Sequence, residues 1–172
     1  MKSKNIHLRA LEPEDISYLY KWENDTNVWK VSNTIAPYSK YILKQYIENS
    51  HLDIYETKQQ RFVIVCTETD TPIGSIDLFD FDPYNSRIGI GILIYNESDR
   101  DRGYATESLQ LVLDYCFNVL NVHQTYCNIL AENVASIALF EKFGFKETAR
   151  KIDWVWRCGG WVDELMFQKV RL

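Results

Sequence analysis

A chain of 172 residues is the size of one domain, and 46% hydrophobic with 25% charged residues is a balance that folds around a core rather than remaining disordered. Its 24 acidic against 19 basic residues leave a formal charge of -5, which repels a phosphate backbone and argues against non-specific DNA or RNA binding. Met1 to Ala10 has no apolar run of signal-peptide length and no segment approaches a membrane span, so a cytoplasmic protein without membrane contact is expected.

Ile6 to Ala10 alternates like a short first strand, and Glu12-Pro13-Glu14-Asp15 supplies an acidic, proline-containing start for a helix carrying Ile16, Leu19, Tyr20 and Glu23. A second helix is predicted over 39–49, where Tyr41, Ile42, Gln45 and Tyr46 recur at helical spacing. Arg61 to Thr67 and Thr71 to Phe81 read as strands of a hairpin turning at Glu68-Thr69-Asp70, and Ser86 to Tyr95 as a third strand. Leu109, Val112, Leu113, Cys116, Phe117 and Leu120 then fall on one helical face. Gln124 to Ala131 is a strand, and Ala135 to Phe143 a helix with Asn133 as N-cap and Gly144 as its stop. The tail predicts a hairpin of Thr148 to Arg157 and Trp161 to Val170 around Cys158-Gly159-Gly160. No repeat or linker interrupts this order, so residues 1–172 read as one domain of the α/β (α+β) class. The four cysteines form no Cys-x-x-Cys pair and lack companion histidines; no metal site is expected, and burial of reduced thiols accounts for Cys66 and Cys116.

The junction from Tyr95 to Thr106 carries the chemistry. A strand passes through Arg100-Asp101-Arg102-Gly103-Tyr104-Ala105 into an amphipathic helix. Small residues at 103 and 105 let backbone approach a ligand, and the free N–H groups of the helix start favour an anion, with Arg100 and Arg102 adding charge. A solvated, capped loop is the competing interpretation. Nucleotide loops of the Gly-Lys-Ser/Thr and Gly-x-Gly-x-x-Gly kinds are absent.

Arg100, Gly103 and Ala105 match the Arg/Gln-x-x-Gly-x-Gly/Ala signature, and in this the chain resembles the GNAT superfamily of N-acetyltransferases. Asn133 to Phe145 resembles that family's second motif, Asn-x-x-Ser-x-x-Leu-aromatic-Glu-Lys-x-Gly-Phe. The segments 8–15, 22–25 and 160–164 are similar to the branch containing ribosomal-protein N-terminal and spermidine acetyltransferases. The resemblance implies a central mixed, mostly antiparallel sheet flanked by helices, with acetyl-CoA as co-substrate. It implies coenzyme contacts from Ile92, Leu93 and Ile94 of the third strand, from Arg100, Asp101, Arg102, Gly103, Tyr104, Ala105 and Thr106, and from Asn133, Ser136 and Phe140. Gly89 and Gly91 are consistent with a bulge or close backbone approach on that strand.

Acetyl transfer requires a neutral amine, a route for its proton, an oxyanion stabiliser and an acid for the departing thiolate. A backbone N–H near Ile92 suits the oxyanion, and Asp77 or Glu132 suits the base, with Asp80 a further carboxylate nearby. Many family members carry a tyrosine as the acid where this chain has Phe140, which has no proton to give; Tyr104 and Tyr126 are substitutes in principle. The acceptor implied is a primary amine of a small, polyamine-like molecule or of a peptide N-terminus. The acidic residues of spermidine acetyltransferases have no counterpart in Val31 to Pro37. Trp154, Trp156 and Trp161 are candidates to wall the acceptor pocket, or to pack on one another across the hairpin. A coenzyme-binding sensor with little catalysis is the alternative that Phe140 suggests, and the resemblance makes a homodimer a reasonable expectation.

Overall fold

The computed structural model describes residues 1–32, 34–157 and 159–171, apart from the side chain of Val31; Asn33 and the hairpin residue Cys158 lie outside the described residues. Among the described residues seven strands form one sheet, in the order β1-β2-β3-β4-β5-β7-β6. They are β1 (Ile6–Arg9), β2 (Gln60–Cys66), β3 (Thr71–Asp82), β4 (Arg87–Ile94), β5 (Gln124–Leu130), β6 (Lys146–Arg157) and β7 (Gly160–Val170). Every pairing is antiparallel except that of β4 with β5, which is parallel. That exception follows from the connection: α5 (Tyr104–Asn118) crosses over between the two strands, as a parallel pair requires.

The helices α1 (Ile16–Glu23) and α3 (Lys40–Glu48) lie where helical spacing predicts, as does α6 (Val134–Lys142). Ser39 caps α3 by accepting from Ile42 N, and Asn133 caps α6 by accepting from Ser136 N at 3.2 Å. Two short helices escape the sequence pattern, α2 (Thr26–Ser32) and α4 (Ile54–Thr57). Neither is long enough to establish a period. Local capping organises both: Asp25 Oδ1 accepts from Asn27 N, and Asp53 accepts from Tyr55 and Glu56 N.

Alternation along β2 divides the core. Ile64 and Cys66 face the helix α5 side, packing with Ile76, Leu78, Ile88 and Ile90 and with Leu109, Val112, Leu113 and Cys116. Val63 and Val65 face the other side with Leu19, Trp22, Leu43 and Ile47 of α1 and α3. Cys66, Cys116 and Cys127 are buried free thiols, and burial pushes Cys116 up to about 12, which keeps it unreactive at neutral pH. Gly89 has a packing reason of its own. A Cβ there would lie 2.2 Å from Cε2 of Phe79, so the close approach at this glycine is to an aromatic ring within the sheet. No helix among the described residues is long and apolar enough to cross a membrane.

Candidate active site

β4 and β5 are paired only from Arg87–Gly89 to Gln124–Tyr126. Beyond that point the strands diverge, and Ile90 to Ile94 and Cys127 to Leu130 line opposite walls of a groove of about 1160 Å³. The backbone direction along β4 follows from its other neighbour. Tyr95 N–H donates to Ile73 O of β3, and the register pairs Leu93 with Ser75 and Gly91 with Asp77. Odd-numbered residues therefore spend their backbone groups on β3, and the even-numbered Ile92 and Ile94 turn theirs toward the groove. A strand edge inside a sheet, with no protein partner on one side, can pair with the amides of an extended ligand.

At the end of β4 the chain passes through a turn at Glu97–Asp99 into α5. Gly103 stands at φ 83° and Asp101 at φ 58°, a left-handed pair that turns the backbone into the helix; the glycine adopts it without steric cost. The first backbone bond of α5 is Glu107 N–H to Gly103 O, so the N–H groups of residues 103 to 106 open the helix without intrahelical acceptors. Arg100 Nε donates to Ile94 O at 3.5 Å, fixing the side chain at the groove wall, while its half-exposed guanidinium is only 3.9 Å from Glu97. Positive charge and free N–H groups thus converge on a place suited to a diphosphate. Both elements fit an acyl-coenzyme A, whose extended pantetheine arm is joined to a pyrophosphate.

Most predicted coenzyme residues line this groove: Ile92, Leu93, Ile94, Arg100, Asp101, Gly103, Tyr104, Ala105, Thr106, Asn133, Ser136 and Phe140. Arg102 does not; its guanidinium lies over the Tyr104 ring, 5.3 Å from the centroid. Tyr104 is buried and its hydroxyl meets Cys66 Sγ at 3.7 Å, a contact that with burial raises its pKa. What Tyr104 offers the groove is backbone. Phe140 is 2% exposed and packs edge-on against Phe145, with ring centroids 5.0 Å apart.

The carboxylates separate. Asp77 lines the groove, opposite Gly91 in the register and thus beside Ile92. Glu132 does not line it and is ion-paired with Arg157 at 2.6 Å; Asp80 accepts from the Tyr126 hydroxyl at 3.2 Å, also outside the groove. Burial first, and then Asp80, pushes Tyr126 up to about 12. Trp154, Trp156 and Trp161 are more than half exposed and line no part of the groove; Trp156 and Trp161 are cross-strand partners in T-shaped contact at 5.2 Å. Cross-strand packing is their local role.

Sequence reasoning passed over Glu23, Tyr46 and Arg61, which line the groove beside Asp77. The available signal was Arg61 itself, a charged residue opening an otherwise apolar strand. A second cavity of about 430 Å³, among Leu11, Pro13, Ile16 and Ile47, contains none of the predicted site residues. No cluster of three or more metal-ligating side chains occurs among the described residues.

Comparison with known proteins gives a consistent neighbourhood. Residues 5–146 match a family model described as an acetyltransferase (GNAT) domain. The chain is 26% identical over 151 residues to the spermidine N(1)-acetyltransferase of Vibrio cholerae, covering 88% of this chain and 84% of that protein. It is 28% identical over 141 residues to the Escherichia coli K12 spermidine N(1)-acetyltransferase, covering 82% and 73%. Among solved structures, the Vibrio cholerae spermidine N-acetyltransferase in complex with CoA and spermine superposes with a TM-score of 0.87 at 23% identity, over 96% of this chain and 95% of that one.

Proposed function

The chain belongs to the GNAT acetyltransferase family, and from that premise we propose that it moves the acetyl group of acetyl-CoA to a primary amine of a small, polyamine-like acceptor. The observation that carries this reading is the continuity of the groove. One end offers the free edge of β4 and the N-terminus of α5, and the other offers Glu23, Arg61 and Asp77 among aromatic side chains. The coenzyme fits the first end and a cationic amine the second. The two curated spermidine acetyltransferases support the polyamine class.

In this account the helix N-terminus and Arg100 hold the pyrophosphate, and the free edge of β4 aligns the pantetheine arm so that the thioester carbonyl meets Ile92 N–H. The amine nitrogen attacks that carbonyl, and Ile92 N–H stabilises the oxyanion that forms. Asp77, one residue across the ladder from Ile92, holds the ammonium while it gives one proton to water to become the neutral nucleophile, and the second proton, released as the C–N bond forms, passes by Asp77 to water. Collapse forms the C–N bond and breaks the C–S bond. The thiolate then takes a proton from water, because Phe140 has none and the hydroxyls of Tyr104 and Tyr126 are committed to Cys66 and Asp80. The dodecameric Vibrio cholerae enzyme supports assembly into a homo-oligomer, of which a dimer is the simplest unit.

The test is a screen of primary amines with acetyl-CoA, read by mass spectrometry for N-acetyl products. Transfer to aliphatic amines is expected. Tight coenzyme binding with no acetylated amine across the panel would replace this reading with that of an acyl-coenzyme A-binding module.

A further inference from the structure

At the acceptor end, one guanidinium serves two carboxylates unequally. Arg61, on β2 directly opposite Asp77 on β3, donates from Nε to Asp77 Oδ1 at 2.5 Å and from Nη2 to Oδ2 at 3.3 Å. Ser75 Oγ adds a third contact to Asp77 Oδ2 at 3.4 Å. Glu23, the last residue of α1, receives a single bond, from Arg61 Nη1 to its Oε1 at 2.5 Å. Its Oε2 has no hydrogen-bond partner among the described residues. The cluster holds two negative charges against one positive; burial beside Tyr46 opposes the charge on Arg61, but Asp77 and then Glu23 outweigh it and raise its pKa. Three of the roughly four lone-pair directions of Asp77 are engaged, against one of Glu23. The residual negative charge therefore has its accessible acceptor on Glu23, at the helix C-terminus, where the backbone dipole also favours a cation.

We propose that Glu23 is a specificity-determining residue: its free carboxylate oxygen binds a second, non-reacting ammonium group of the acceptor, and Arg61 is the positioning residue that presents it. This deepens the amine-acceptor reading and rests on it. Asp77 stands beside Ile92, where the reacting nitrogen belongs, and Arg61 spans from Asp77 to Glu23, so the two carboxylates address different parts of one acceptor. Trp22 and Tyr46 line the same end and offer apolar faces to the methylenes between two amines. The acceptor class selected is a linear aliphatic diamine or longer polyamine in preference to a monoamine.

The experiment compares 1,4-diaminobutane with n-butylamine as acceptors for the wild-type chain and for Glu23→Gln. For the wild type, kcat/KM favours the diamine. In Glu23→Gln that preference falls roughly tenfold, expressed chiefly in KM for the diamine, as for loss of one charge-assisted hydrogen bond. Arg61→Lys, which keeps the charge but not the fork, lowers the preference as well, and Glu23→Asp retains part of it. An equal fall for both amines in Glu23→Gln, or none, overturns the assignment of Glu23 while leaving amine acetylation standing. Failure of the wild type to acetylate either amine overturns both. A measurement without variants guards against misfolding: rising ionic strength must raise the diamine KM more steeply than the butylamine KM, and parallel salt dependences contradict the proposal.

Discussion

Gly74→Ala tests the link between sheet packing and the groove. Gly74 pairs with Ile94, and a Cβ at position 74 would lie 2.1 Å from Leu93 O and 3.2 Å from Ile94 Cα. Those atoms are backbone, so no side-chain rotation relieves the contact; β4 itself must move, and with it the carbonyl that anchors Arg100 Nε. Overpacking costs about 1–3 kcal/mol, and the rigid neighbour places this case near 3. For a chain of this size each kcal/mol lowers Tm by about 2–4 °C, so thermal unfolding followed by circular dichroism should fall by about 6–12 °C. Coenzyme affinity, measured by calorimetric titration below that Tm, should fall with it. Gly91→Ala is the comparison: its Cβ would meet only Phe79, at 3.7 Å, and stability should change by less than about 1 kcal/mol. A Gly74→Ala protein with wild-type Tm and affinity would refute the reasoning.

Other perturbations separate further parts of the account. Arg100→Ala should weaken acetyl-CoA binding at least roughly tenfold in a calorimetric titration, and unchanged affinity removes the arginine from the pyrophosphate site. Asp15 is buried; burial opposes its ionisation, but hydrogen bonds from Arg9 and from Glu12 N–H prevail and hold its pKa below the ordinary carboxylate value. Its stabilisation is accordingly present above about pH 4 and is lost as pH falls through the lowered value. Asp15→Asn should cost about 2 kcal/mol at pH 7 and flatten the acid limb of a stability profile from denaturant titrations; an unaltered acid limb contradicts this. Thr125 is fully buried and its Oγ1 has no hydrogen-bond partner among the described residues, so Thr125→Val should leave stability equal or higher by up to about 1 kcal/mol in urea unfolding, whereas a clear loss contradicts the burial argument.

The elements that sequence reveals well are those whose side chains repeat. The apolar stripe of α5, the continuous apolar run Phe62 to Cys66 of β2, and the cap-and-stop residues around α6 each encode their conformation within a dozen positions. The groove end formed by Arg100, Gly103 and Asn133 was legible for the same reason, since these residues sit on a local turn and two helix starts. The opposite end was not. Glu23, Arg61 and Asp77 are 38 and 16 residues apart in successive steps of their contacts and meet only because β2 pairs with β3 and α1 packs across them. Trp154, Trp156 and Trp161 illustrate the converse: composition drew notice to aromatic residues that lie away from the groove, Trp156 and Trp161 set against each other by register and Trp154 covered by Lys151. Gly89, read as a bulge or a close backbone approach, is shaped by the ring of Phe79, its partner on the adjacent strand β3.

The divergence of β4 from β5 is proposed to form the donor site. Diffraction from crystals grown with acetyl-CoA tests it most directly. The pyrophosphate is expected on the N–H groups of residues 103 to 106 beside Arg100, and the thioester carbonyl within hydrogen-bond distance of Ile92 N–H. Coenzyme bound elsewhere, for example in the cavity between Leu11 and Ile47, with the β4 edge left unpaired, would contradict it.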